Sequence, residues 1–289
     1  MNIAITAPAG PVNKLKLKSG LKKLKDLGYG NIKVGESCYG EYFWNSAQAE
    51  KRAEEFQSFW VDSDVDLVFA ARGGFGCIHL LEILDWDLLG AHQKVLCGHS
   101  DLTVMHLAFL KHGIRRSISG LMPAVEFADA SLDDNSMETF NSCLDQNFEI
   151  FLGGNPVKSG NIKGKIIPVT LSVLCSLMGT GHLPEFEDTI LCIEDINEPS
   201  YRLDGFLSQL QLAGILNKLK GLIFGDFNNC GSFAELDHLV DKFSAYIDGP
   251  VVRSVKFGHC LPRLSLPVGS DVILEVGSST CLKSVGSQG

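Results

Sequence analysis

Two short apolar runs constrain this chain more than anything else in it. Residues 65–71 read V-D-L-V-F-A-A and stop at Arg72-Gly73-Gly74-Phe75-Gly76, and residues 95–97 read V-L-C and stop at Gly98-His99-Ser100. Each is a buried strand that breaks off in a glycine or polar turn. After Ser100 a helical period begins, carried by Leu102, Val104, Met105, Leu107, Ala108, Phe109 and Leu110 and ending at Lys111-His112-Gly113. Apolar strands alternating with helices imply a parallel sheet covered on both faces. Ligands of such sheets sit beyond the carboxyl ends of the strands, so Gly73-Gly74 and Ser100 are expected on one rim.

The rest of the chain extends the alternation. Strands are expected at 2–7, 31–34, 162–167, 189–193, 221–225 and 250–255, with paired terminal strands within 261–285. Helices are expected at 14–27, 46–58, 78–84, 202–213 and 232–246. The lysines of the first helix read as a solvated face. Residues 123–160 are less regular and acidic. The fold class is therefore α/β in two domains: 1–125 carrying the Ser100 turn, a connection at 126–160, and 161–289.

With 289 residues, the chain is long enough for that division. It is 45% apolar and 20% charged with a formal net charge of −9, a globular composition without the basic footprint of a nucleic-acid binder. Its nine cysteines include no C-x-x-C pair and read as reduced core residues, not a disulfide framework or a zinc site. No run approaches the roughly 20 apolar residues that span a membrane, and the N-terminus lacks an export pattern. A cytoplasmic protein, without metal or cofactor, is the expectation.

A serine between a strand and a helix is where a nucleophile elbow places one, since the turn lifts the hydroxyl above the sheet and backbone N–H groups face a developing oxyanion. Leu102 stands where G-x-S-x-G has its second glycine, and Ser100 or Asp101 also fits an ordinary helix N-cap. A serine nucleophile needs a histidine base and a carboxylate to orient it. Of eight histidines, His259 follows an apolar strand through Phe257-Gly258, a context that presents a side chain on a rim. Glu194 ends the apolar run 189–193, where an isolated charge needs a partner. The residues nominate Ser100, Glu194 and His259.

R-G-G-F-G at 72–76, G-H-S-D-L-T at 98–103, L-C-I-E-D-I-N-E at 191–198 and F-G-H at 257–259 resemble, in order and spacing, the signature segments of the LD-carboxypeptidases. Those are cytosolic serine peptidases of murein recycling, with relatives among the microcin C immunity peptidases. The resemblance runs from A-P-A-G at 7–10 to R-L-S-L-P-V-G at 263–269. It implies an N-terminal flavodoxin-like domain, a C-terminal mixed β/α domain and a triad of Ser100, Glu194 and His259. It also implies an oxyanion hole from the amides of Asp101, Gly73 and Gly74, a small peptide substrate and a homodimer. Arg72, Tyr201 and Arg202 could help bind a terminal carboxylate. Two departures fall near the expected substrate site: Pro168-Val169-Thr170 where the family commonly carries G-G-N, and Gly205 where an arginine is frequent. They leave room for a relative acting on acyl adenylates or for a silent peptide binder.

Overall fold

Strand β1 (Ile3–Thr6) is buried at every position, as are β3 (Leu67–Ala70) and β4 (Val95–Gly98). Such strands need cover on both faces, and the intervening helices α1 (Lys14–Asp26), α2 (Ala49–Val61), α3 (Trp86–Gly90) and α4 (Thr103–Lys111) supply it. In the computed structural model, which describes Met1–Val285, these elements with β2 (Ile32–Val34) and β5 (Ser117–Ser119) form one compact unit, Met1–Leu132 with Gly179–Pro184. Its strands pair in the order β5-β4-β3-β1-β2, all parallel. That is the flavodoxin-like order, as expected.

Local chemistry explains the helices. The Asn13 side chain caps α1 by accepting from the N–H groups of Leu15 and Lys16, while Lys23 and Lys25 complement the negative end of the dipole. Helix α1 buries Leu17, Gly20 and Leu24 and leaves its lysines in water. Helix α4 is buried at its first seven positions. Phe109 on it packs edge-on against Trp60 and Phe56 of α2, which stack on each other. The helix expected at 78–84 is instead a single 3₁₀ turn, Cys77–Leu80. Gly76, at φ 127°, caps that turn, and the Asp85 side chain caps α3 as a separate helix, so the segment is divided between two short elements.

The second unit comprises Asp133–Met178 and Glu185–Gly289 as a division of the chain. Its strands are β6 (Glu149–Phe151), β7 (Asn155–Lys158), β8 (Gly160–Thr170), β9 (Thr189–Ile196), β10 (Leu219–Asn228), β11 (Val251–Arg253), β12 (Leu266–Val268), β13 (Asp271–Val276) and β14 (Thr280–Ser284). Eight of them form a mixed sheet in the order β6-β14-β13-β8-β9-β10-β11-β7. The centre, β8 to β11, is parallel, and antiparallel strands flank it on both sides. Helices α5 (Asp134–Asp145), α6 (Leu171–Ser176), α7 (Ser200–Leu212) and α8 (Phe233–Ser244) complete the unit, α8 with a full capping box between Ser232 and Glu235. This is the mixed β/α architecture expected for the C-terminal half. The acidic stretch read as irregular holds α5, β6 and β7. Asp133 caps α5 by accepting from the Ser136 N–H.

Glycine 20 has a packing reason. A Cβ there would lie 1.8 Å from the carbonyl oxygen of Pro123. Alanine is favoured over glycine in a helix by about 1 kcal/mol, yet Gly20→Ala is expected to lower stability by about 1–3 kcal/mol, because backbone cannot yield as a side chain would. Chemical denaturation checks this; a gain in stability would mean that α1 shifts freely.

Candidate active site

In the first unit the site begins with Ser100. Strand β4 ends at Gly98, and Ser100 opens a 3₁₀ turn, Ser100–Leu102, that leads into α4. Its backbone is left-handed, with φ 64°. A non-glycine residue there is strained and signals an imposed geometry. His106 on α4 reaches back to the Gly98 carbonyl at 2.9 Å. His99 is buried and turned to Glu126, 2.8 Å from its Oε1.

The glycine turn after β3 lies directly against this serine. A Cβ on Gly73 would fall 2.7 Å from Ser100 Cβ and 3.0 Å from its Oγ, so no side chain fits. A Cβ on Gly74, at φ 121°, would lie 2.9 Å from the Cα of Gly10, whose N–H donates to the Gly73 carbonyl at 3.3 Å. Asp101 is buried, and its Oδ2 accepts the Cys77 N–H at 2.8 Å. Burial pushes that carboxyl up, against the pull of Cys77 and the nearby Arg52. The sequence assigned Asp101 only a backbone role, while its side chain ties the glycine segment to the serine turn. Arg72 donates to the Pro11 carbonyl at 3.1 Å, so it anchors a loop of this unit.

In the second unit Glu194 and His259 meet. Glu194, on β9, is 1% exposed, and its Oε2 accepts from His259 Nδ1 at 2.7 Å and from the His259 N–H at 3.2 Å. Gly258, at φ 125°, makes room, since a Cβ there would lie 2.8 Å from that same oxygen. The other carboxylate oxygen accepts from the Thr170 hydroxyl. Burial alone would raise the Glu194 carboxyl; the hydrogen bond and charge of His259, the Thr170 hydroxyl and the charge of Arg263 outweigh it and hold the group below its ordinary value. With Nδ1–H given to Glu194, the imidazole keeps Nε2 as its acceptor.

Thr170 belongs to the segment that departs from the family pattern, and it faces Glu194 in the parallel β8–β9 register. Sequence reasoning missed it, as it missed the buried Arg263, which donates to the Gly258 carbonyl. Tyr201 is exposed on α7. Arg202 is paired to Glu198 at 2.9 Å and sits over the Phe206 ring, so its guanidinium is already engaged. Asp195, next to Glu194, accepts from the N–H and hydroxyl of Ser172, and burial raises it to about 6. Among the described residues no group of three or more His, Cys, Asp or Glu is arranged to hold a metal ion.

Known proteins share this arrangement of sequence and fold. The profile of the LD-carboxypeptidase N-terminal domain matches residues 3–120, and that of the C-terminal domain matches 163–274. The murein tetrapeptide carboxypeptidase of Pseudomonas aeruginosa is 27% identical over 288 residues, covering 94% of this chain and 92% of its own. The crystal structure of a muramoyltetrapeptide carboxypeptidase from Oxalobacter formigenes superposes with a TM-score of 0.89 at 28% identity, covering 99% of each chain. The microcin C7 self-immunity protein of Escherichia coli is 23% identical over 310 residues, covering 93% of this chain and 88% of its own.

The depressed Glu194 carboxyl makes a prediction with a definite sign. A folded-state value below the unfolded one stabilises the fold fully above the ordinary carboxylate pKa of about 4.3, and that contribution is lost as pH falls through the lower folded value. Glu194→Gln is expected to cost about 1–3 kcal/mol near neutral pH. The gap to wild type should close in acid. Denaturant titrations across that range check it, and a pH-independent gap would mean that the carboxylate is not the stabilising form.

Proposed function

We propose, on the premise that the chain belongs to the LD-carboxypeptidase family and is a serine-type carboxypeptidase, that Ser100 is its nucleophile, His259 its base and Glu194 the group that orients the base. The substrate is a murein tetrapeptide, and the reaction is hydrolysis of its terminal L,D peptide bond. The observation that carries the reading is the buried Glu194–His259 pair, whose 2.7 Å contact fixes the tautomer a general base needs. The left-handed backbone of Ser100 at a strand-to-helix turn supports the nucleophile role.

In this mechanism His259 Nε2 takes the hydroxyl proton of Ser100 as Oγ attacks the scissile carbonyl carbon. The oxyanion is held by backbone N–H groups of Asp101, Gly73 and Gly74, each such donor contributing about 3–4 kcal/mol in comparable hydrolases. Collapse of the tetrahedral intermediate breaks the C–N bond, and His259 returns the proton to the departing amine of D-alanine. Water then attacks the acyl ester, gives its proton to His259, and the tripeptide leaves with its new carboxylate as Ser100 regains its proton. Glu194 stabilises the imidazolium in both halves. Arg72, Tyr201 and Arg202 are assigned to the peptide's terminal carboxylate. The engagement of Arg202 with Glu198 weakens its share of that role.

The same reading gives the enzyme a part in cell-wall recycling in the cytoplasm, with a small peptide as its partner and neither nucleic acid nor membrane. Its nine cysteines carry no disulfide, as in a reducing compartment, and among the described residues no helix is long and apolar enough to cross a membrane. The domain division follows, with residues 1–125 supplying the nucleophile and 161–289 the Glu194–His259 pair. A homodimer rests on the family resemblance alone. Similarity to the microcin self-immunity protein favours one second reading, an amidase of peptidyl or aminoacyl adenylates.

Mass spectrometry of a murein tetrapeptide incubated with wild type and with Ser100→Ala decides between them. Wild type is expected to release one alanine, and Ser100→Ala to lose at least about a thousandfold in rate while keeping its fold. Retained activity in Ser100→Ala, or in His259→Ala, would overturn the triad. An intact tetrapeptide with cleavage of an aminoacyl adenylate would establish the second reading, and cleavage of neither would point to a silent binder.

A further inference from the structure

Arg52 is a fully buried cation that the proposed chemistry does not use. It sits on the inward stripe of α2 with Ala53, Phe56 and Trp60, where a charge is costly to desolvate. Among the described residues it forms no salt bridge within 4.0 Å, and its hydrogen bonds go to backbone carbonyls instead. Nε donates to Ala47 at 2.9 Å, and Nη1 donates to Gly76 at 3.0 Å and also to Pro8.

Two of those carbonyls, Pro8 and Gly76, belong to the segments that set the glycine turn. Pro8 lies two residues before Gly10, which donates to the Gly73 carbonyl and lies where a side chain on Gly74 would fall. Gly76 closes the glycine turn, and the next residue, Cys77, donates to Asp101 beside Ser100. Asn45 adds a second tie by donating to the Phe75 carbonyl at 2.6 Å. One nitrogen of the guanidinium, Nη1, thus bridges the loop after β1 and the loop after β3, and Nε, bound to the Ala47 carbonyl, fixes the plane from which it donates. The glycine turn has little latitude, because Gly73 lies where any added carbon would be 2.7 Å from Ser100 Cβ.

We propose that Arg52 is a positioning residue, clamping the loops after β1 and β3 so that the amides of Gly73 and Gly74 are held at the distance from Ser100 that oxyanion binding requires. The inference rests on the assignment of Ser100 as nucleophile. It concerns transition-state geometry: a displacement of about 1 Å in such a site costs about a hundredfold in rate.

The test compares wild type, Arg52→Met and Arg52→Lys in the full chain. In Arg52→Met kcat on the tetrapeptide is expected to fall about a hundredfold with KM within a factor of two, since only the transition state is affected. Arg52→Lys, which keeps a charged donor nitrogen but loses the Nε bond to Ala47, should recover part of the rate. Labelling of Ser100 by a fluorophosphonate should slow in parallel with kcat, while the dissociation constant of intact tetrapeptide, measured in a Ser100→Ala background, should not move. A merely structural arginine would shift binding and rate together or neither. Unchanged kcat in a folded Arg52→Met variant would overturn the proposal, as would a raised KM at constant kcat. Amide hydrogen exchange separates this from the nucleophile assignment. If wild type neither cleaves peptide nor labels, that assignment fails on its own. Faster exchange at residues 73–77 in Arg52→Met, or in Arg52→Lys should Met fail to fold, would still support the clamp, and unchanged exchange would remove it.

Discussion

The first unit depends on one close approach, the carbon-free face of Gly73 set against a serine whose backbone is left-handed. A non-glycine residue at φ 64° costs about 1–3 kcal/mol and relaxes unless its neighbours over-determine it. Here a strand buried at every position enters the turn, and a helix buried over its first seven residues leaves it. His106 and Asp101 fasten the turn from both sides. The strain is thus held by the burial of β4 and α4, and the space it opens is the space Gly73 fills.

The second unit solves a different problem, which is to keep one carboxylate charged in the core. Glu194 and Asp195 are adjacent on β9, so their side chains leave opposite faces of the sheet. Both are buried, yet burial wins for Asp195, which rises to about 6, and loses for Glu194, which is held low. The difference lies in partners. Asp195 accepts from neutral donors of Ser172 and from the Ile196 N–H. Glu194 has an imidazole at 2.7 Å and the charge of Arg263 as well as the Thr170 hydroxyl. The hydrogen bond from His259, the largest of the pulls on Glu194 and one that Asp195 has no counterpart for, decides which of the two is held low.

The central strands β1, β3, β4, β9 and β10 were legible because burial writes itself as apolar runs, and the ends of those runs named Gly73, Ser100 and Glu194, whereas β5, β6 and β7 were not read. Helix α5 was not, because its buried face is Ser136, Thr139, Phe140 and Cys143, of which only two are strongly apolar. A helix that buries hydroxyls against backbone, as Ser136 does with the Arg263 N–H and Thr139 with that of Ser265, gives only a short apolar period to read within an acidic stretch. Thr170 was passed over for a related reason. What distinguishes it is its register opposite Glu194, a long-range pairing that no local pattern encodes.

The least legible residues share a chemistry. Arg52 and Arg263 are both fully buried, and both donate to the carbonyl of a glycine with positive φ, Gly76 at 127° and Gly258 at 125°. In a sequence, an arginine on an apolar stripe looks like an error in the pattern. In the fold, a planar cation with donors aimed in fixed directions can satisfy carbonyls that a glycine turn leaves outside any ladder. Those turns must be glycine because the neighbouring group, Asn45 at Gly76 and the Glu194 carboxylate at Gly258, leaves no room for a Cβ. A turn without side chains has few contacts of its own to hold it, so its position must be imposed from beneath. The cost of burying each guanidinium is then the cost of making a flexible residue rigid where the chemistry needs it to be.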